Sequence, residues 1–271
     1  MGEQTEATRQ DRWTGGDSYE EYVGRWSRGV AVEFVDWLDA APGRSWLDLG
    51  CGTGALTTAI LERADPAAVV GIDPSPSFID HARAATPDRR AVFLTGDALA
   101  LPLAAGSADV VVSGLVLNFI PDTSAALREF LRIARPGAMI AAYVWDYAEK
   151  MEPIRAFWDA AIALDPAARD LDEARRFPLC APDELRALFA DAGLVAVANR
   201  TIDVVARFAS FDDYWTPFLS GTGPAPGYCV ALSEDRREAL RALLAERFPP
   251  AGDGSITMTA RAFAVRATSA R

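Results

Sequence analysis

Three glycines and two aspartates form the part of this sequence best suited to bind a ligand. Gly50, Gly52 and Gly54 give the pattern GxGxG, which follows an apolar segment containing Asp48, and Asp73 ends a second apolar segment. Glycines in a turn after a strand let a ligand approach the backbone closely, and a carboxylate accepts hydrogen bonds from hydroxyl and amino groups. These residues predict a binding site at the ends of two neighbouring strands.

Short apolar strands alternate with amphipathic helices from residue 45 onward, and this order predicts an α/β fold with a mostly parallel sheet covered by helices on both faces. A helix after Asp122 carries Ala134 on its apolar face and is predicted to end at Pro136-Gly137. Seven strands are predicted, at residues 45–49, 68–72, 91–94, 108–113, 138–145, 202–208 and 255–265.

Helical excursions interrupt the strand pattern near the carboxyl edge of the sheet, where open α/β folds bind ligands. We therefore predict one domain over residues 1–271, with a ligand-binding core at 45–146. The segment 1–44 is expected to be helical and to close over the ligand. The segments 147–180 and 209–252 are expected to form a helical cap.

The GxGxG turn, with Asp48 before it, resembles motif I of the class I S-adenosylmethionine-dependent methyltransferases. The dinucleotide-binding fingerprint is GxGxxG and places a pyrophosphate on a helix N-terminus, whereas S-adenosylmethionine has no phosphate. The resemblance covers roughly residues 45–145. It implies a Rossmann-like fold in which Asp73 holds both ribose hydroxyls and Asp97 accepts from the adenine amino group. Asp48 either bonds backbone amides of the turn or orients the amino group of the cofactor.

The same resemblance implies cofactor contacts beside these motifs. The backbone N–H of Ala98 is a candidate for an adenine nitrogen, and the segment SGLVLNFIPD, which contains Leu115, resembles the family's segment beside the methionine part. Cys51 lies within the turn and lacks a histidine partner, so we interpret it as a structural position and not as a nucleophile. The full set is Asp48, Gly50, Cys51, Gly52, Asp73, Pro74, Ser75, Gly96, Asp97, Ala98 and Leu115.

The N-terminal segment YEEYVGRWSRGVAVEFVDWL resembles the small-molecule branch of the family, in which such a segment precedes the first strand. A guanidinium suits a carboxylate, so several residues here are candidates to hold the methionine carboxylate, and the sequence does not choose among them. The candidates are Tyr22, Arg25, Trp26, Ser27 and Arg28. The strings FWDAAIALDP and RRFPLC resemble an uncharacterised bacterial methyltransferase group.

The resemblance implies in-line methyl transfer to a small molecule, driven mainly by proximity. Asp146, after the fifth strand, is the candidate proton acceptor for a phenol or a carbon acid, and Asn118, after the fourth strand, is a second candidate catalytic residue. An amine acceptor would need no base. His81 lies several residues beyond a strand end and is interpreted as a surface or packing residue.

The amino-acid composition limits the classes of partner that the protein can bind. The net charge of -11 argues against nucleic acid, and no apolar run approaches the roughly 18 residues that span a bilayer. Three cysteines and one histidine, without CxxC spacing, argue against a metal site. We therefore expect a cytoplasmic monomer or homodimer. The alternatives are a nicotinamide oxidoreductase, and a protein of this fold that only binds the cofactor or catalyses a non-methylating reaction.

Overall fold

The computed structural model describes residues 24–249 and 251–270. The strands are β1 (Ser45–Leu49), β2 (Ala68–Asp73), β3 (Ala91–Thr95), β4 (Ala108–Gly114), β5 (Ala134–Trp145), β6 (Val195–Phe208) and β7 (Ile256–Thr268). The α-helices are α1 (Arg25–Leu38), α2 (Ala55–Arg63), α3 (Pro76–Ala85), α4 (Thr123–Ile133), α5 (Glu152–Leu164), α6 (Glu173–Arg176), α7 (Pro182–Asp191), α8 (Phe211–Trp215), α9 (Pro224–Ala231) and α10 (Glu234–Arg247). Short 3-10 helices occupy Leu117–Phe119, Pro166–Leu171 and Thr216–Leu219.

The strands form one seven-stranded sheet in the order β3-β2-β1-β4-β5-β7-β6. The first five in this order pair in parallel, whereas β7 runs antiparallel to both β5 and β6. The predicted seven-stranded, mostly parallel sheet is therefore confirmed. The strand order reverses between β1 and β4, and ligands of open α/β sheets bind at such a switch point, outside the carboxyl ends of the strands.

The centre of the sheet is buried on both faces. Residues 140–147 of β5 and the turn after it are all buried, as are residues 110–113 of β4. Successive strand residues point to opposite faces, so unbroken burial requires a covering layer on each side. This explains why these stretches are mostly apolar.

Helix α1 belongs to the core. Its residues Val30 and Phe34 are fully buried, and the Phe34 ring lies 4.7 Å from that of Tyr143 on β5. At its carboxyl end, the Arg266 guanidinium donates to the carbonyls of Trp37 and Leu38, at 2.5 and 3.1 Å. A cation there satisfies open carbonyls and interacts favourably with the helix dipole. This end of α1 is thus fixed to β7.

The junction of α4 and β5 differs from the sequence prediction. Helix α4 ends at Ile133, and Ala134 already pairs with Ala108 of β4. The register then shifts, and the ladder resumes where Val110 pairs with Met139. Pro136-Gly137 therefore interrupts a strand that has already begun instead of ending the helix, because a Pro-Gly pair fits an irregular strand entry as well as a helix stop.

Two helical segments leave the sheet, one after β5 and one between β6 and β7, and their aromatic side chains pack together. The rings of Phe157 (α5) and Phe218 are stacked at 4.5 Å, and the Tyr214 ring (α8) lies 5.3 Å from Phe218. The Tyr214 hydroxyl donates to the carbonyl of Pro153 at 2.9 Å. We call Phe157, Tyr214 and Phe218 the cap cluster. It joins the two segments into one apolar core.

Substitution of Gly50 tests how closely the glycine turn packs against Val116. It has a positive φ of 70°, and a Cβ built there would lie 2.5 Å from Val116 Cγ2. Gly43 has a similar φ of 73°, but a Cβ there would meet nothing within 4 Å. We expect Gly43→Ala to cost about 1 kcal/mol of unfolding free energy through left-handed strain alone. Gly50→Ala should cost about 2 to 4 kcal/mol, because the Val116 clash adds overpacking.

Urea unfolding of both variants, followed by circular dichroism, measures these costs. Equal losses for Gly43→Ala and Gly50→Ala would contradict the close approach of the turn to Val116.

Candidate functional site

A cavity of about 390 Å³ lies at the carboxyl ends of β1, β2, β4 and β5. Its size falls within the range of about 300 to 1,000 Å³ that is usual for small-molecule sites. The walls are contributed by five parts of the chain. They are Ser27 of α1; residues 50–53, 55 and 56 of the glycine turn and α2; residues 73–75 and 78; residues 114–116 and 119; and Tyr143, Trp145, Tyr147, Ile154 and Glu173.

The glycine turn lines one end of the cavity with backbone. The amides of Gly50 and Cys51 donate to the carbonyl of Ile72, at 2.7 and 3.1 Å. A Cβ built on Gly52 would meet no protein atom within 4 Å. The turn is therefore fixed to β2 and leaves open space over Gly52, so that a ligand can lie against the main chain.

Asp73 is at the same end of the cavity, and its carboxylate is held by the main chain. Oδ2 accepts from the Gly52 amide at 3.0 Å, and Oδ1 accepts from the Ser75 amide at 2.9 Å. Burial raises the pKa of Asp73, and these two hydrogen bonds oppose the shift. A carboxylate offers about four acceptor sites, so each oxygen can still accept from a ligand hydroxyl.

Asp48 lies beneath the turn and not on the cavity wall. Its Oδ2 accepts from the Thr57 hydroxyl at 2.7 Å, while its fully buried Oδ1 has no protein partner in the described residues. Burial raises the pKa of Asp48 to about 7. In the structure this aspartate joins β1 to α2 through the Thr57 hydroxyl.

The carboxyl end of β4 forms the adjoining wall through Gly114, Leu115 and Val116. Leu115 has a φ of 62°, which is uncommon for a leucine, and its amide donates to the Tyr143 carbonyl at 2.8 Å. Strained backbone of this kind persists only where the surroundings fix it, and it clusters at ligand sites. Pro74 and Ser75, also expected at the cofactor, line the cavity as well.

The predicted adenine contacts lie beside the cavity. Gly96, Asp97 and Ala98 are not among its walls, although the Gly96 amide donates to the Asp73 carbonyl at 3.1 Å. Asp97 is exposed, and its Oδ1 accepts from the Leu99 amide at 2.9 Å. This loop thus adjoins the Asp73 end of the cavity, and its contact with adenine stays a proposal.

The N-terminal candidates for binding the methionine carboxylate differ in their position relative to the cavity. Tyr22 is outside the described residues, and Ser27 lines the cavity. Trp26 is buried with its ring 5.5 Å from that of Phe208, and Arg28 is exposed, so neither lies on the cavity wall.

Arg25 is engaged elsewhere. Its guanidinium pairs with the Asp213 carboxylate, with Nη1 to Oδ1 at 3.1 Å, and lies 4.8 Å over the Phe208 ring. Arg25 therefore joins α1 to α8 instead of projecting into the cavity.

The two residues predicted to be catalytic also lie off the cavity wall. The Asp146 carboxylate accepts from the amides of Glu149 and Lys150, at 3.0 and 3.2 Å, and thus caps the turn after β5. Asn118 is half-buried, with an Nδ2 that has no protein partner in the described residues. An aspartate at a strand end can accept hydrogen bonds from the amides of the following turn instead of contacting a ligand. The Asp146 carboxylate makes such bonds here.

Sequence reasoning missed Glu173. This side chain is 1% exposed, lines the cavity and accepts a hydrogen bond from Trp158 Nε1. Burial raises the pKa of Glu173 to about 8. The surrounding sequence, LDEARR, is typical of a solvated helix turn, so only the packing of α6 against α5 reveals the residue.

The charge of the cavity favours a cationic ligand. Its wall carries the carboxyl groups of Asp73 and Glu173, of which Glu173 is mostly protonated at neutral pH because its pKa is about 8, and none of the described residues that line it is lysine or arginine. A pyrophosphate would find no counter-charge there, whereas a sulfonium would. The carboxyl groups and the open glycine turn therefore fit S-adenosylmethionine better than a dinucleotide.

Comparison with known proteins agrees with this geometry. Residues 47–142 match a family described as a methyltransferase domain. A demethylmenaquinone methyltransferase of Roseiflexus sp. strain RS-1 is 34% identical over 178 residues, which span 59% of this chain and 71% of that protein. The chain belongs to the class I S-adenosylmethionine-dependent methyltransferases.

This methyltransferase chain is also similar to a protein described as an uncharacterized methyltransferase. The uncharacterized methyltransferase Rv3342 of Mycobacterium tuberculosis is 39% identical over 132 residues, or 48% of this chain and 52% of that protein. The matched region thus spans about half the length of that relative.

Among solved structures, a Bacillus halodurans protein described as a candidate methyltransferase superposes with a TM-score of 0.58 at 12% identity. The superposition covers 89% of this chain and 99% of that one, and it supports the fold. In the described part of the methyltransferase chain, no helix combines the length and hydropathy needed to cross a bilayer.

The buried Asp48 carboxyl group should make the stability of the fold depend on pH. Its carboxyl ionises near 3.8 when unfolded but at about 7 when folded, so the folded state retains a proton that the unfolded state has lost. The free energy of unfolding should therefore fall as the pH rises between these values. Asp48→Asn removes this titration but keeps an oxygen for the Thr57 hydroxyl, and it should reduce the fall by roughly 2 to 4 kcal/mol. Urea unfolding at a series of pH values tests this, and the same decline in both proteins would contradict it.

Proposed function

We propose that this protein transfers a methyl group from S-adenosylmethionine to a small molecule by in-line displacement. The observation that carries the proposal is a single cavity with two unlike ends. One end has the open glycine turn and the doubly anchored Asp73 carboxylate. The other end has aromatic walls from Phe119, Trp145 and Tyr147.

At the first end, Asp73 would hold the ribose hydroxyls, and the backbone around Gly52 and Leu115 would face the rest of the cofactor. Asp97 and Ala98, in the neighbouring loop, would contact the adenine at the rim. Ser27 is the described N-terminal candidate that lines the cavity, so it would lie nearest the amino-acid part.

S-adenosylmethionine supplies a methyl group on a positively charged sulfur. The chain contributes mainly alignment and exclusion of water, because its cap segments cover the cavity with Ile154, Tyr147 and Glu173. Holding two reactants in line contributes on the order of 7 to 11 kcal/mol to lowering the barrier. Removal of water strengthens the electrostatic interactions inside the site.

A small acceptor is supported by the dimensions and the walls of the cavity. A cavity of about 390 Å³ with aromatic walls is of the kind that binds small molecules. The Roseiflexus relative is described as acting on demethylmenaquinone, which supports an aromatic small molecule as the acceptor class.

Titration calorimetry with S-adenosylhomocysteine and with NAD separates this proposal from a nicotinamide oxidoreductase. We expect binding of S-adenosylhomocysteine and no heat from NAD, because no cation lines the described cavity to neutralise a pyrophosphate. Tight NAD binding would overturn the proposal. Release of S-adenosylhomocysteine in the presence of an acceptor then distinguishes methyl transfer from simple cofactor binding.

The two strand-end aspartates should differ in their effects on cofactor affinity. Asp73→Ala should weaken S-adenosylhomocysteine binding by about ten-fold or more, because it removes two acceptors inside the cavity and releases the Gly52 amide. Asp97→Ala should weaken binding by only about three-fold, since this residue is exposed at the rim. Asp80→Ala, an exposed position on α3, is the control. Calorimetry measures all three, and full affinity in Asp73→Ala would contradict the placement.

A further inference from the structure

Glu173 occupies the end of the cavity opposite the proposed cofactor position. Asp73 ends β2, and β1 and β4 separate β2 from β5, so three strand spacings place about 14 Å between the carboxyl ends of β2 and β5. Glu173 begins α6, whose neighbour Phe177 packs on Phe119 and Tyr147, with ring centroids 4.9 and 5.9 Å apart. These rings belong to the segments after β4 and β5. Glu173 therefore faces the acceptor end.

The Glu173 side chain is held in place by the cap. Trp158 Nε1 donates to its carboxyl group, and the Trp158 ring packs edge-on against Phe157 of the cap cluster. The preceding residue, Asp172, forms an ion pair with Arg155 of α5 at 2.8 Å. These contacts fix α6 to α5 and keep a carboxyl group in an apolar wall. A buried carboxyl group of this kind is costly unless it has a partner.

We propose, on the basis of the function proposed above, that Glu173 binds the methyl acceptor and takes up its proton during transfer, and that the acceptor is a neutral aromatic compound with a hydroxyl group. The aromatic walls of Phe119 and Tyr147 suit a planar ring. An anionic acceptor would face the Asp73 and Glu173 carboxyl groups, with no lysine or arginine on the described cavity wall.

The bond between sulfur and the methyl carbon breaks, and its electron pair stays on sulfur, which becomes the neutral thioether of S-adenosylhomocysteine. The hydroxyl oxygen of the acceptor forms the new bond to the methyl carbon. The hydroxyl proton passes to the Glu173 carboxylate, which becomes a carboxylic acid and later releases the proton to solvent.

The charges around Glu173 set the pH at which it can accept a proton. Burial raises its pKa to about 8, the Asp172 carboxylate adds to this effect and the Arg176 guanidinium opposes it. Arg155 on α5 neutralises Asp172, and the Cys180 thiol nearby has its own pKa raised by burial. On the far side, Asp73 is the other carboxylate of the cavity. The methylation rate should therefore rise with pH around 8, where a base of this pKa is effective.

The test uses 2-naphthol as a neutral hydroxyl probe and 2-naphthoate as its anionic counterpart. The full-length protein is incubated with S-adenosylmethionine and each probe, and methylated naphthol is measured by mass spectrometry across the pH range. Glu173→Gln keeps an oxygen for Trp158 Nε1 but cannot take the proton. Glu184→Gln, at an exposed glutamate in the first turn of α7, is the matched control.

We expect methylation of 2-naphthol and none of 2-naphthoate. Glu173→Gln should lower the rate by about 100-fold or more and abolish the rise near pH 8, while Glu184→Gln should behave as wild type. S-adenosylhomocysteine affinity and the thermal unfolding midpoint of Glu173→Gln should match wild type, which separates a chemical from a structural role.

Two results would overturn the inference. The first is a wild-type protein that binds S-adenosylhomocysteine but leaves 2-naphthol unmethylated. The second is a Glu173→Gln variant with a wild-type rate and pH profile. A wild-type protein that binds no S-adenosylhomocysteine would instead refute the proposed function.

Discussion

The hydrogen bonds between the Asp73 carboxylate and the Gly52 and Ser75 amides are the constraint on which this site depends. They fix the glycine turn, the end of β2 and the start of α3 relative to one another. The Ile72 carbonyl strengthens the arrangement by accepting from both Gly50 and Cys51. As a result, this end of the cavity is shaped by main chain that hydrogen bonds within the protein hold in position. Preorganised contacts of this kind require little rearrangement on binding.

The opposite end of the cavity is formed by side chains instead of main chain. Its walls are large side chains that follow β4, end β5 and continue into the cap, and they include the carboxyl group of Glu173, which accepts a hydrogen bond from the Trp158 indole. The two ends are joined through β4 and β5, where Leu115 takes a strained φ of 62° so that its amide can donate to the Tyr143 carbonyl. Main chain thus suits the end that would hold an invariant cofactor, and side chains suit the end that would select an acceptor.

The sequence was sufficient to predict the sheet and its glycine turn, because strand alternation and turn glycines are local signals. Residues 45–49 were predicted as a strand and form β1. Local signals failed where pairing between strands determines the secondary structure. Ala134 continues the helical sequence pattern, yet it begins β5 and pairs with Ala108 of β4. Local signals also do not decide between the uses of a polar residue: Asp146 caps a turn, and Glu173 is buried beside Trp158 of α5. These outcomes depend on partners distant in the chain.

The cap cluster links two insertions that are far apart in sequence, since Phe157 follows β5 and Phe218 precedes β7. The stacking of Phe157 on Phe218 makes the rings of each segment part of the apolar packing of the other. Exchanging one insertion for that of another protein would therefore leave half of a mismatched core. An exchange of these insertions therefore has to replace both of them together. Pro153 and Tyr214 should be kept in the exchange, because the Tyr214 hydroxyl donates to the Pro153 carbonyl.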